Sequence, residues 1–208
     1  VRQMEKTAQQ GFTLYELLVT VVVMGIILSL GVSSFLEFTR NNRMAATSND
    51  LLSALTLART EAVKRKSPVT VCSSLNPEAA NPACGGTFAD GWVVFADDDG
   101  DIVIDAGEEV IRSAGPISDR ITLQTNGGAN FFSYADTGFG RLAGDLPAAA
   151  GTPLRAALLC DARGNVPAAG GLSAARALRM DGPGRPQVVR EVAQVQSVAD
   201  TLVGAACP

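Results

Sequence analysis

Four cysteines, a dense run of acids from Asp97 to Glu108, a set of late arginines and one glutamate inside an apolar stretch are the residues here that could do chemistry. Histidine is absent. That removes the commonest general base, the Ser/His and Cys/His nucleophile pairs and the commonest zinc ligand, so no catalytic residue stands out. Cys72, Cys84, Cys160 and Cys207 form no C-x-x-C pair, and their wide spacing is unlike a zinc site. An even number of cysteines behind an N-terminal apolar segment fits an exported, oxidising location. Three pairings are open. The favoured one is Cys72–Cys84, closing a loop with Asn76-Pro77 and Asn81-Pro82, together with Cys160–Cys207, tying the C-terminus to an inner strand. Buried free thiols are the alternative.

The acidic run places Asp97, Asp99, Asp101 and Glu108 at positions 1, 3, 5 and 12 of a calcium-loop spacing. Position 6, where the sharp turn calls for glycine, is Ile102, and the flanks read as strands rather than helices. Calcium is thus the one cofactor the sequence offers, set against a solvated acidic hairpin turn. Charge is unevenly placed: residues 97–119 carry a surplus of seven negative charges, and 154–192 a surplus of three positive ones, in a chain of net charge −4. Arg176, Arg179, Arg185 and Arg190 on a final hairpin could hold phosphates, since guanidinium pairs well with them. No aromatic residue is interleaved with them to stack on bases. Solvated strand faces and contacts to protein neighbours compete with nucleic acid as their role.

Glu16 stands alone among charges between Phe12 and Leu36. That 25-residue stretch would span about 37 Å as a helix, enough to cross a ~30 Å hydrocarbon core. A secretory signal would have a shorter apolar run of roughly 7–15 residues with its small-residue cleavage site after it, whereas Gly11 precedes this one. A carboxylate in such a helix is costly unless paired, so Glu16 reads either as a snorkelling group or as a polar hook awaiting a partner. Residues 37–66 lack proline and glycine. Met44, Ser48, Leu51, Leu52, Leu55, Ala58, Ala62 and Val63 recur there at three- and four-residue steps, extending the helix as an amphipathic half. Lys64-Arg65-Lys66 suit its C-terminal dipole, and Ser67-Pro68 ends it.

Beyond Pro68 the pattern changes to strands, at 69–74, 91–97, 109–114, 121–125, 131–135, 154–160, 175–181 and 186–192. Asp181-Gly182-Pro183-Gly184 reads as the turn of a last hairpin. The predicted fold class is α+β: a long N-terminal helix, half transmembrane and half amphipathic, packed on a β-rich C-terminal domain. The predicted segments are a leader at 1–11, a transmembrane helix at 12–36, its amphipathic continuation at 37–66 and a β-rich domain at 69–208. Met4 is an alternative start for the leader.

Gly11-Phe12-Thr13-Leu14-Tyr15-Glu16-Leu17-Leu18-Val19 resembles the processing motif of type IV pilins and type II secretion pseudopilins. VTVCSS after the helix, Gly91-Trp92-Val93-Val94-Phe95 before an acidic turn, Gly138–Arg141 and Gly184-Arg185 resemble the GspH/FimT group of minor pilins and pseudopilins. The resemblance implies that a prepilin peptidase cuts after Gly11 and that Phe12 becomes a methylated N-terminus. It implies that Glu16, fifth in the processed chain, assists processing or docking. It implies a structural role, helping to initiate or cap a pilus or pseudopilus, not an enzyme. The implied partners are other pilin or pseudopilin subunits, the peptidase and inner-membrane lipid, with the C-terminal domain in the periplasm. DNA-uptake members of the group bind DNA partly through a late Gly-Arg-x-Arg. Here Gly184-Arg185 is followed by Pro186-Gln187, so the second arginine is missing. DNA capture is therefore the competing function. Both pili and type II secretion machines use this kind of anchor.

Overall fold

The computed structural model describes residues 11–141, 144–147, 150–168, 170–202 and 207, apart from the side chains at 30, 31 and 33. The predicted leader up to Gln10, Met4 included, lies outside the described residues. One helix, α1, runs from Leu14 to Arg65. By its contacts the chain divides into two units, 1–41 and 42–208.

In the first unit, α1 begins after Thr13 and is apolar enough to cross a membrane. Among its described apolar side chains, Leu17, Leu18, Val21, Val22, Met24, Ile26, Ile27, Phe35 and Phe38 are all exposed. A helix that is apolar all round has to find its apolar surroundings outside its own chain.

In the second unit, the rest of α1 buries one stripe: Met44, Ser48, Leu51, Ala54, Leu55, Ala58 and Ala62 are buried, whereas Val63 is exposed. The stripe recurs at three- and four-residue steps because those positions share a helix face. The helix closes with Lys66 in the left-handed conformation, φ 57°, its N–H donating to the Ala62 carbonyl at 2.9 Å. Glu61 holds both Lys64 and Arg65, and Arg65 reaches on to Glu109 at 2.8 Å.

Among the described residues eight strands follow: β1 (Val69–Ser73), β2 (Trp92–Ala96), β3 (Val110–Ala114), β4 (Thr122–Thr125), β5 (Phe131–Tyr134), β6 (Ala156–Cys160), β7 (Arg176–Met180) and β8 (Pro186–Val189). They form two antiparallel sheets, in orders β3-β2-β1-β5 and β4-β6-β7-β8. Each strand lies inside a segment the alternation predicts. The α1 stripe shares a core with residues of both sheets, among them Val71, Val94, Phe132, Tyr134, Ala157 and Leu178. The outer face of the second sheet is covered by α2 (Val192–Thr201), where Val195, Val198, Ala199 and Leu202 pack on Leu158, Ala175 and Ala177. The sequence reading runs β8 on to Val192, but the chain turns into α2 there. Its apolar residues repeat at helical steps of three and four, and no side chain caps its start at Glu191. Disulfides join Cys72 to Cys84 and Cys160 to Cys207, each with Cα atoms 5.5 Å apart. The second fastens the segment after α2 to β6.

Candidate functional site

The start of α1 combines the residues singled out for processing and assembly. Gly11, Phe12 and Thr13 have no helical structure, and Phe12 is 86% exposed. Thr13 caps the helix. Its N–H and its hydroxyl both donate to Glu16 Oε2 at 2.9 Å, and its Oγ1 accepts the Glu16 N–H at 3.2 Å. This reciprocal pair is a capping box: two of the donors that a helix start leaves orphaned are satisfied by side chains three residues apart. The carboxylate also sits at the positive end of the helix dipole. Thr13 was not among the residues singled out, although the Thr-x-x-Glu spacing was there to read. The box fixes the start of α1 at Leu14, so the Gly11–Phe12 peptide bond lies outside the helix.

The acidic segment is built differently from a single four-ligand shell. Asp97 is buried. Its Oδ2 accepts the Thr70 hydroxyl at 2.5 Å and its Oδ1 the Ile102 N–H at 3.3 Å, with Arg141 Nη1 at 3.7 Å. Burial pushes its carboxyl above the usual range, opposed by the Thr70 bond. Asp97, Asp99 and Glu108 form one group of converging carboxylates, while Asp99, Asp101 and Asp105 form another. Asp105, at position 9 of the loop spacing, is thus a residue the sequence reading passed over. Glu108 accepts the N–H groups of Asp98 at 2.9 Å and Asp105 at 3.0 Å, closing the loop, and burial raises its carboxyl as well. Ile102 makes the turn that glycine would make, at φ 71°. Together with Ile104 it packs on Cys72, Val93, Phe95 and Phe131, which holds a β-branched residue in a conformation it disfavours.

Of the four late arginines, Arg176 is the correction. It is 5% exposed, in the middle of the second sheet, and cannot present its guanidinium to a phosphate backbone. It opens β7 opposite Leu159 of β6, while the ladder to β8 begins one residue later at Ala177. Arg179, Arg185 and Arg190 are exposed, and Arg179 meets Gln187 across the hairpin at 3.3 Å.

Two glycine motifs that are far apart in sequence meet in space. Gly184 has φ 81°, and a Cβ there would lie 2.7 Å from the Gly140 nitrogen. Only a bare Cα permits that approach. Gly140 N–H donates to the Pro183 carbonyl at 3.3 Å, and the buried Tyr134 hydroxyl donates to the Gly184 carbonyl at 2.8 Å. The Phe132 ring packs edge-on against Tyr134, 4.8 Å between centroids. The last hairpin of the second sheet is thereby fastened to β5 of the first.

The family described as type II transport protein GspH matches residues 47–190, more than half of the chain. The prokaryotic N-terminal methylation motif matches residues 6–32. No curated protein matches. Among solved structures, the Pseudomonas aeruginosa type IV minor pilin FimU is similar in two crystal forms. One has 14% identity and a TM-score of 0.45, covering 75% of this chain and 94% of that one. The other has 13% identity and a TM-score of 0.40, covering 69% and 90%. With the methylation motif ahead of the matched domain, the chain belongs to the type II transport protein GspH family.

Proposed function

We propose that this chain is a minor pilin or minor pseudopilin, cut after Gly11 by a prepilin peptidase and carried by α1 into the base or tip of a filament. The observation that carries this is the start of α1. An exposed, non-helical Gly11–Phe12 bond is followed at once by a capped helix whose described apolar side chains are exposed. Before assembly those side chains would rest in the inner membrane, with the second unit in the periplasm, and afterwards against neighbouring subunits. Glu16 would exchange its Thr13 partner for the α-amino group of an adjacent subunit. This is a structural activity, and its chemistry is confined to the cut and to methylation of Phe12.

Co-expression with a prepilin peptidase and mass spectrometry tests the first step. The chain should lose its leader after Gly11 and gain one methyl group, and Gly11→Leu should stay uncut. Glu16→Ala should leave the second unit folded and lower incorporation into filaments. Normal incorporation of that variant would remove the assembly role. If the subunit initiates filaments, its deletion lowers their number more than their length.

Capture of duplex DNA competes with this reading. With Arg176 buried it would rest on Arg179, Arg185 and Arg190. Steeply salt-dependent DNA binding, lost when those three are replaced, would favour it; no binding at low salt would set it aside.

A further inference from the structure

The acidic loop after β2 opens on a carboxylate that faces inward. Asp97 is fully buried. A buried carboxylate is costly unless it is hydrogen-bonded and paired with a cation. Its oxygens accept the Thr70 hydroxyl of β1 and the Ile102 N–H, both neutral donors. The cation that meets it is Arg141, whose Nη1 lies 3.7 Å from Asp97 Oδ2 and whose side chain is itself mostly buried. That guanidinium is held in place from two other sides. Nη1 donates to Ser133 Oγ of β5 at 3.2 Å, and Nη2 donates to the Asp145 carbonyl at 2.6 Å. The Thr70 and Ser133 hydroxyls are bonded at 2.8 Å, so one polar network runs from the loop through β1 and β5 to Arg141.

The loop is shaped to admit this group. A Cβ at Gly100 would lie 2.9 Å from Arg141 Nη2, and Gly100 has φ 77°. Both the conformation and the close approach call for glycine. Other arginines are engaged elsewhere: Arg65 by Glu61 and Glu109, and Arg112 by Asp50. We infer that Arg141 is the acidic loop's own counter-cation: it meets the carboxylate that opens the calcium spacing, and the loop takes its fold without a divalent ion. Arg141 is a positioning residue, supplied by the segment that also meets the last hairpin through Gly140 and Gly184. Nothing in this pairing depends on the filament-subunit reading.

The test is amide hydrogen exchange on the full chain in detergent micelles, in EDTA and in calcium chloride. The Ile102 N–H is the reporter, because it donates to Asp97 Oδ1. In the wild-type chain its exchange should be the same in both solutions. Arg141→Gln should speed it about 10- to 100-fold, as loss of a charge-assisted contact predicts. Two rescues separate charge pairing from mere packing. Arg141→Lys should recover part of the protection. Asp97→Asn added to Arg141→Gln should raise the thermal midpoint above that of Arg141→Gln alone, since it removes an uncompensated buried charge. Should Arg141→Gln not fold, recovery of folding by either rescue supports the pairing, and failure of both overturns it. The proposal is equally overturned if a folded Arg141→Gln chain exchanges like wild type, or if neither rescue acts on it. Saturable slowing of wild-type Ile102 exchange by calcium also overturns it. Failure here leaves the Gly11 and Glu16 experiments untouched, because neither residue belongs to this network.

Discussion

Thr13 and Tyr134 show how single side chains fasten the backbone, one at the start of α1 and one inside the second unit. Thr13 closes the capping box that defines where α1 starts. Thr13→Ala should destabilise the first helical turn by about 0.5–2 kcal/mol and speed amide exchange at Glu16 and Leu17 roughly 2- to 30-fold. Unchanged exchange would mean the cap is not what starts the helix. Tyr134 is buried, and burial pushes its phenol far above the ordinary range while its hydroxyl holds the Gly184 carbonyl. The folded state therefore keeps this proton more tightly than the unfolded one. The stabilisation it supplies is complete below about pH 10, the unfolded value, and fades as the pH rises beyond it. A Tyr15→Phe chain titrated at 295 nm should show no phenolate until the second unit unfolds. Early phenolate absorbance would contradict the burial of that hydroxyl.

At the scale of elements, α2 depends on a fastening outside itself. It is ten residues long, has no side-chain cap, and contributes Val195, Val198 and Ala199 to the outer face of the second sheet. A helix this short is marginal by its own propensity and is held by its packing. The Cys160–Cys207 disulfide closes a sequence separation of 47 residues around it, against 12 for Cys72–Cys84. Replacing Cys160 and Cys207 together with Ala should cost about 2–4 kcal/mol, read as a lower urea midpoint, and should expose the α2 amides first. The shorter loop should cost less, because closure entropy grows with loop length. Equal losses from the two pairs would point to native-state strain in place of loop entropy.

Across the whole molecule, the two units make opposite demands on their surroundings. The first exposes almost every apolar side chain described in it, whereas the second has an internal core drawn from α1 and both sheets. Residues 42–208 alone should stay soluble without detergent and unfold in one cooperative transition. The full chain should need detergent or lipid. Aggregation of the shortened chain would show that the helix before Asn42 is part of the second unit's core.

The apolar run, the helical stripe of α1, the eight strand segments and the processing motif were legible in the sequence because each is local: periodicity, charge and turn residues act within a few positions. The Thr13–Glu16 box was legible on the same terms and was passed over. Which arginines remain available was not legible, since burial of Arg176 depends on which strands flank β7. The sorting of strands into two sheets, the Gly140–Gly184 contact and the Asp97–Arg141 pair likewise bring together residues that are distant along the chain. So does the division of the acidic loop into two carboxylate groups, because Asp97 turns inward to Thr70 of another strand. By itself the sequence determined the anchor and the elements, whose causes lie within a few residues of one another. Only tertiary packing decided which polar side chains are enclosed in the fold and which stay exposed, because that choice is made by neighbours the chain supplies from far away.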